Sequence, residues 1–428
     1  TGQSHIIFLS GVAAVPLDLP QAARSEFTAD VEAYHTLTDT WTQEGTMPRG
    51  VVTTGIAPWE GGFAIASGEV RPGVRTSEVQ LGVVDREPAR LAGLDYAVMA
   101  IYLLGILLLD VFFARRERTA DDFFLAGRRI PWWAAGLSIY ATQLSAITYV
   151  AVPAKAYMDD WVFALTSITI LVMAPIVIVF YLPFFRRLEI TTAYEYLERR
   201  FSLSIRLFGS ASFMAFQVAR MAIVVFLPSL ALSTVTGVDV YTCIATIGVM
   251  ATVYTVLGGM EAVVWTDVLQ VFVLIGGLFV ALSLAVDGAG GLEAALEIAR
   301  SGDKLRWFAP GTSWTDTASW SVLLGAMFLQ FGPYTTDQAV VQRYLSTKDE
   351  RSAARGILLN GLVAMPFTLC FFALGSALFA YFSARPEALE LGMKNDEVFP
   401  LFVALELPAL VEQHFAASPL RGIFGHSM

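Results

Sequence analysis

The sequence predicts a mainly α, polytopic membrane protein with a short β-rich segment in front. Three observations carry this. Mean hydropathy is +0.59, and 55% of the 428 residues are apolar, more than an ordinary soluble chain carries. Residues 94–382 hold about eight apolar runs long enough, or nearly long enough, to cross a bilayer as helices. Residues 1–82 instead alternate short strand-like runs with Gly, Pro and Asp turns.

The front segment reads as strands at "HIIFLSG", "VEAYHTLTDTW", "GVVTTGI" and "GGFAIASGE". The order Tyr34, Thr38–Asp39–Thr40–Trp41, Met47–Pro48, Gly61–Gly62 and Gly68–Glu69 resembles a kelch blade. Such a blade has four strands, with Trp41 wedged between neighbouring blades. One or two blades cannot close a propeller. Residues 1–85 are therefore expected to be a partial kelch β-propeller segment whose other blades lie upstream. The chain opens at "TGQSHIIFLSG" without a methionine or a visible signal peptide, and reads as cut at its front. Its stretch "GEVRPGVRT" is similar to the end of kelch-type sialic acid mutarotases, which equilibrate the anomers of N-acetylneuraminate. That resemblance implies that Glu69 and Arg75 touch the sugar; alternatively they hold a blade edge together.

Residues 86–428 form the membrane part. The expected spans are Tyr96–Ala114, Trp161–Leu182, Leu207–Val235, Val240–Leu257, Val263–Val286 and Ile357–Phe382. Two more, Trp132–Ala151 and Val322–Tyr334, are interrupted or short. Basic residues set the orientation. The loops "RRERTADDFFLAGRR" and "FFRRLEITTAYEYLERRFSLSIR" hold five arginines each, and "QRYLSTKDERSAAR" holds four basic residues. The alternate loops are poorer: "PAKAYMDD" has one and "TGVD" none. The dense loops are thus expected in the cytoplasm, and the N-terminal segment on the periplasmic or extracellular side of the cell (inner) membrane.

The net charge of −10 lies in loops and the front segment, and no basic patch suggests nucleic acid. Cys243 and Cys370 sit in apolar spans and read as buried thiols, without a disulfide framework. The four histidines show no metal-ligand spacing.

The chemistry concentrates in "SIYATQLSAITYVAVPAK", residues 138–155. Ser138, Thr142, Gln143, Ser145 and Thr148 crowd a stretch that should be oily. Polar groups at bilayer depth mark a pathway or a site. Counting along the helices puts Ser145 about 21 Å from the cytoplasmic end and Arg220 about 20 Å, so the two meet near the midplane. A central arginine costs about 2.5–3.5 kcal/mol on insertion scales. With no other carboxylate obvious at that depth, a substrate carboxylate suits it; carbonyls of a broken helix are the alternative. Asp267 lies only about 6 Å in, more than about 10 Å from Arg220 along the normal, which favours two separate sites. It suits a sodium ion or a proton, or else is a helix-start acid complementing the dipole. The polar stretch lets a helix unwind, so that freed carbonyls coordinate sodium and freed N–H groups meet a carboxylate. Gly332–Pro333 in the short span is a second candidate break. The competing reading is a Ser/Thr-rich packing face.

At these residues the sequence resembles the sodium:solute symporter family. The cues are "DDFFLAGRRIPWWAAGLSIYATQLSAITYVAVPAKAY", "TTAYEYLERRF", "YTVLGGMEAVVWTDVLQ" and "TTDQAVVQRYL". The resemblance implies a LeuT-like inverted-repeat fold with one extra helix in front, which Tyr96–Ala114 fits. Within the family it is most similar to the sialic acid symporters. It then implies that Ser145, Thr148 and Arg220 bind the sugar acid; Gln143, the large polar residue of the same stretch, is expected to join them. Sodium, the co-transported ion, would lie on the carbonyls of Ala141 and Leu144, with Asp267 near a second sodium. "PYTTDQ" departs from the aromatic pair of the sugar-transporting branch, which weakens a galactose-type substrate. After "NDEVFPLFVALELP" the expected Ser-rich helix does not appear, so the second repeat reads as incomplete.

The function expected is a sodium-coupled import of a sugar acid, N-acetylneuraminate first, and not an enzyme. Another sugar or organic anion, a membrane-tethered mutarotase, and a sensor are the alternatives. A mere anchor needs neither eight spans nor a midplane arginine.

Overall fold

The computed structural model describes residues 5–11, 26–59, 62–82, 93–115, 119–144, 146–188, 194–236, 238–311, 318–390 and 393–406. The chain divides into two compact units. The first joins Thr1–Glu87 with Ala285–Gly302 and Ala377–Val398; the second is Pro88–Leu284, Asp303–Ser376 and Phe399–Met428.

The first unit carries two antiparallel three-stranded sheets. One is β1 (His5–Gly11), β2 (Thr28–His35) and β3 (Thr40–Thr46); the other is β4 (Ile56–Trp59), β5 (Gly62–Arg71) and β6 (Val74–Gly82). Alternation decides their faces. Met47, Val51, Ile65 and Val70 form a core flanked by Leu9, Val31 and Phe63, drawn from both sheets. "VEAYHTLTDTW" is not one strand but the β2–β3 hairpin, because Asp39 takes φ 54 at the turn. Among the described residues each sheet has three strands, one fewer than a full blade. Trp41 stacks on Phe8 and Tyr34, with both centroid distances 5.0 Å, and its side is 55% exposed. Glu69 and Arg75 face each other across β5 and β6 and form an ion pair at 3.9 Å, which matches the reading that they hold the sheet edge.

The second unit is helical. In the numbering used below, α1 is Gly93–Ala114, α2 Trp132–Gln143 and α3 Ala146–Met158. Next come α4 (Val162–Arg187), α5 (Leu203–Thr236) and α6 (Val240–Gly288). Further along the chain are α7 (Leu292–Ser301), which belongs to the first unit, α8 (Ser319–Thr335), α9 (Gln338–Leu345) and α10 (Glu350–Ala384). Among the described residues, Val162–Arg187, Leu203–Leu230, Gly259–Gly288 and Glu350–Ala384 are long and apolar enough to cross a membrane singly. The α2–α3 pair makes a fifth, broken span with a 62° bend. α6 is interrupted at Gly259, where φ 53 and ψ −165 fall in a region that only glycine occupies without strain. The interruption separates the two spans expected over Val240–Leu257 and Val263–Val286.

Why is the broken span held at its angle? α10 touches both arms where side chains are absent or small. A Cβ on Gly136 would lie 2.7 Å from the Gly356 carbonyl oxygen, and one on Gly356 would lie 2.9 Å from that of Trp132. Further along α10, a Cβ on Gly375 would strike the Pro153 carbonyl and lie 2.5 Å from the Ala156 Cβ. Small residues let helix backbones approach in this way. Around them lies a core that includes Ile139, Tyr140, Ile170, Val271, Tyr334 and Ile357. The loop before α2 is tied to the one after α9: Ile130 N–H donates to the Ser346 carbonyl at 3.3 Å. Arg186 donates to the Thr347 carbonyl at 2.7 Å.

Gly136→Val and Gly356→Val should each destabilise the detergent-solubilised protein by about 1–3 kcal/mol, the cost of overpacking. Gly276→Ala, whose new Cβ meets nothing within 4 Å, should be neutral or slightly stabilising. Thermal melts of the three variants measure this. In the first unit, burial and then the neighbouring His5 push His35 down to about 4. Its Nδ1 accepts from the Thr38 N–H, so the fold favours the neutral ring. The sign follows: His35 contributes stability that is complete above the ordinary value of 6.5 and is lost as pH falls through about 4. Tryptophan-fluorescence melts from pH 7.5 downward should show this loss, and His35→Asn should flatten it.

Candidate functional site

The site is built from two helix ends that stop short of crossing. α2 stops at Leu144, where φ −79 and ψ 91 take the chain into an extended turn. The last carbonyls of any helix lack partners within it, so the α2 end offers an array of oxygens. Ala141 and Leu144 belong to this end. Thr142 uses its hydroxyl on the Ser138 carbonyl at 2.7 Å, one turn back. Its own carbonyl accepts from Arg220 Nη2 at 3.5 Å. Ser145 lies outside the described residues. Thr148 is half-buried in the first turns of α3.

The second break follows α8. That helix ends at Thr335, and α9 begins at Gln338 with Asp337 as its N-cap, whose Oδ1 accepts from the Ala339 N–H at 2.8 Å. An Asp at this position satisfies one of the donors a helix start leaves over. Its other oxygen, Oδ2, stands 3.9 Å from Arg220 Nη1. This corrects the expectation that no chain carboxylate lies at the arginine's depth. The signal is present in the sequence, since an Asp two residues after Gly332–Pro333–Tyr334–Thr335 is an ordinary helix-start residue. Both contacts of Arg220 are long, and its side chain is 37% exposed. It is a cation at the junction of both breaks that is only loosely held.

The breaks also touch through side chains. The Tyr334 hydroxyl donates to Gln143 Oε1 at 3.3 Å, and Asn360 Nδ2 donates to that hydroxyl at 2.6 Å. Gln143 is thereby brought to the site, while Tyr334 and Asn360 are additions the sequence reading missed.

Asp267 is paired with Arg343, a partner that was not foreseen. Arg343 Nη2 donates to Asp267 Oδ2 at 2.9 Å, and Ser138 Oγ donates to the same oxygen at 2.5 Å. Arg343 Nε donates to Ser138 Oγ at 2.7 Å, and Nη1 to the Ala339 carbonyl at 2.7 Å. The arginine side chain is 9% exposed and the aspartate 15%. The sequence reading gave Asp267 a cation from solution. The structure gives it one from the chain, because "QRYL" is the buried helix α9 and not the solvent loop it was counted as. A carboxylate and a guanidinium at this depth need each other, since either alone is an uncompensated charge. Among the described residues no cluster of three or more His, Cys, Asp or Glu could hold a metal ion.

A broken helix with an oxygen-lined end, an arginine beside it and a second break facing it are the parts from which membrane carriers build ion and anion sites. The comparisons with known proteins agree with that class. The sodium:solute symporter family profile matches residues 123–425, and the chain belongs to this family. It is 41% identical to the sodium/sialic acid symporter SiaT of Proteus mirabilis (strain HI4320), over 74% of this chain and 64% of that one. It is 39% identical to the sodium/sialic acid symporter NanT of Aliivibrio fischeri (strain ATCC 700601 / ES114), over 76% and 66%. With the human sodium/iodide cotransporter it shares 33% identity over 72% of this chain and 49% of the relative. Among solved structures, a Na+-coupled sialic acid symporter in a substrate-bound, outward-open state superposes with a TM-score of 0.70 at 39% identity. That match covers 74% of this chain and 67% of that one. The chain spans just under two thirds of the length of the sialic acid relatives, 64% and 66%.

Arg343→Ala and Asp267→Ala should each cost about 3–5 kcal/mol, because each leaves its partner buried and alone. Arg343→Met combined with Asp267→Leu should recover most of that loss. A double-mutant cycle of melting temperatures measures the coupling.

Proposed function

We propose that this chain carries the substrate- and sodium-binding part of a sodium-coupled symporter for a sugar acid, N-acetylneuraminate first. The single observation that carries the proposal is Arg220. It is placed on an apolar helix at the meeting of two helix breaks, with contacts of 3.5 and 3.9 Å that leave it available to a stronger acceptor. A sugar carboxylate is such an acceptor, and charge-assisted pairs with arginine are the strong ones. Ser145, Thr148 and Gln143 then meet the rest of the sugar. Sodium sits on the carbonyls of Ala141 and Leu144, whose helix end carries partial negative charge. Asp267 stays in the proposal as the acid near a second sodium, with Arg343 as the competing cation.

The same reading assigns a LeuT-like inverted repeat, with the two breaks at corresponding places in its halves. It also puts residues 1–85, a partial kelch segment, on the periplasmic side of the inner membrane. The basic loops support this orientation. The protein acts as a carrier rather than an enzyme. The similarity to relatives named for iodide and for monocarboxylates favours one second reading, a sodium-coupled carrier of another anion.

Uptake of radiolabelled N-acetylneuraminate into proteoliposomes under an inward sodium gradient tests the proposal, with potassium as control. The chain would be run alone and completed with the C-terminal portion of the Proteus mirabilis relative. Sodium-dependent uptake is expected. Arg220→Ala should weaken sialate binding by about 30-fold or more, since losing a buried charge partner is worth at least about 2 kcal/mol, while the melting temperature stays near that of the parent. Full affinity in a folded Arg220→Ala protein would sink the carboxylate assignment.

A further inference from the structure

Three residues from three helices form one line of hydrogen bonds across the two breaks. Asn360 on α10 is 1% exposed and Tyr334 on α8 is also 1% exposed. Asn360 Nδ2 donates to the Tyr334 hydroxyl at 2.6 Å. That hydroxyl donates to Gln143 Oε1 at 3.3 Å. At the two ends, Asn360 Oδ1 and Gln143 Nε2 are buried without a hydrogen-bond partner. A buried polar atom without a partner is costly, so each needs a reason.

The line has a direction. A tyrosine hydroxyl has one proton. Having accepted from Asn360, it gives that proton to Gln143, and the glutamine oxygen is then used. The amide N–H2, next in the chain to Thr142 whose carbonyl meets Arg220, is then left without a partner. In the reverse direction Tyr334 would donate to Asn360 Oδ1, and Gln143 would turn round to present an oxygen. The first direction is the one an anion beside Arg220 calls for, because an anion asks for donors.

We propose that Asn360 is a positioning residue: through Tyr334 it sets which way the Gln143 amide faces, so that the break presents a donor to an acceptor group of the substrate, a carboxylate or carbonyl oxygen. This rests on reading the break as the substrate site. Asn360 never touches the substrate. It selects by fixing the polarity of a relay, and the unpartnered Gln143 Nε2 is satisfied when the acceptor arrives.

Asn360→Asp tests this without changing the shape of the residue. Ionised, the carboxylate only accepts, so the Tyr334 proton turns to it and Gln143 is reversed. Protonated, its O–H can donate to Tyr334 as the amide did. The two protonation states therefore set opposite directions of the relay. Calorimetric titration with N-acetylneuraminate in sodium is the readout. Relative to the parent at the same pH, Asn360→Asp should bind about tenfold more weakly at high pH, one hydrogen bond's worth, and should recover as pH falls. Tyr334→Phe should weaken binding about tenfold at every pH, and adding Asn360→Asp to it should change nothing more. A packing role alone would give neither the pH profile nor the non-additivity.

A ligand-free arm separates the relay from the substrate reading. Melting temperatures of Asn360→Asp, Gln143→Leu and their combination should be non-additive in the parent and additive in the Tyr334→Phe background. Additivity in the parent overturns the relay. Equal sialate affinity of parent and Asn360→Asp across the pH range also overturns it. A folded parent that shows the coupling but does not bind N-acetylneuraminate overturns the substrate assignment and leaves the relay supported.

Discussion

Everything at the site depends on how closely α10 lies against the broken span. Gly356 meets Gly136 on α2, and Gly375 meets Pro153 and Ala156 on α3. One helix thus touches both arms of a pair bent by 62°. The bend needs that support. Ending α2 at Leu144 forfeits several backbone hydrogen bonds, each of which matters at membrane depth, where water cannot replace them. The lost bonds are offset by van der Waals contact, which small residues maximise by removing the side chains between two backbones. Asn360 sits on α10 four residues beyond Gly356, so the helix that fixes the bend also reaches the Tyr334 hydroxyl at 2.6 Å. Position and polarity are set by the same element.

The charges follow from that frame. Two arginines enter an apolar unit, and the chain treats them differently. Arg343 is closed in, with Asp267, Ser138 and the Ala339 carbonyl all at hydrogen-bond distance, which consumes both its charge and its geometry. Arg220 has one carbonyl and one carboxylate at 3.5 and 3.9 Å, and Asp337 is already engaged at the start of α9. A buried charge pair of the first kind fixes α2, α6 and α9 relative to one another. An arginine of the second kind holds little together. Its cost is sensible only where a further acceptor is expected, which is why the two deserve different roles despite similar composition around them.

The sequence revealed the parts of this that are expensive on their own. Five polar side chains over residues 138–148 and an arginine inside Leu207–Val235 stand out against an apolar background, so the first break and Arg220 were legible. Gly332–Pro333 pointed only near the second, since both lie inside α8 and the break follows at Thr336–Asp337. Partners were not legible in the same way. Arg343 and Asp337 look like loop charges because α9 is only eight residues long, too short to show as a span. Tyr334 and Asn360 are unremarkable in an aromatic-rich chain until three helices meet. The glycines of α10 look like any others, since a glycine's value lies in the backbone that approaches it. In the first unit "HIIFLSG" matched β1 residue for residue. "VEAYHTLTDTW" concealed a turn, because Thr-Leu-Thr-Asp has no Gly or Pro to announce one.

Under the proposed function, the placement of Arg220 also explains why an ion and an anion should need each other. The carbonyl end of α2 attracts a cation through the helix dipole, yet Arg220 stands 3.5 Å from one of those carbonyls and repels it. An anion bound to Arg220 cancels that repulsion and adds an attraction of its own. Conversely, a sodium on the α2 carbonyls draws the oxygens away from the guanidinium and frees it for the anion. Each ligand therefore lowers the cost of binding the other, and the coupling is the same in both directions because it is a property of the doubly occupied state. No long path through the protein is needed. Two opposite charges and the arginine between them share the end of one broken helix in the proposed site, and their coupled binding follows from that proximity.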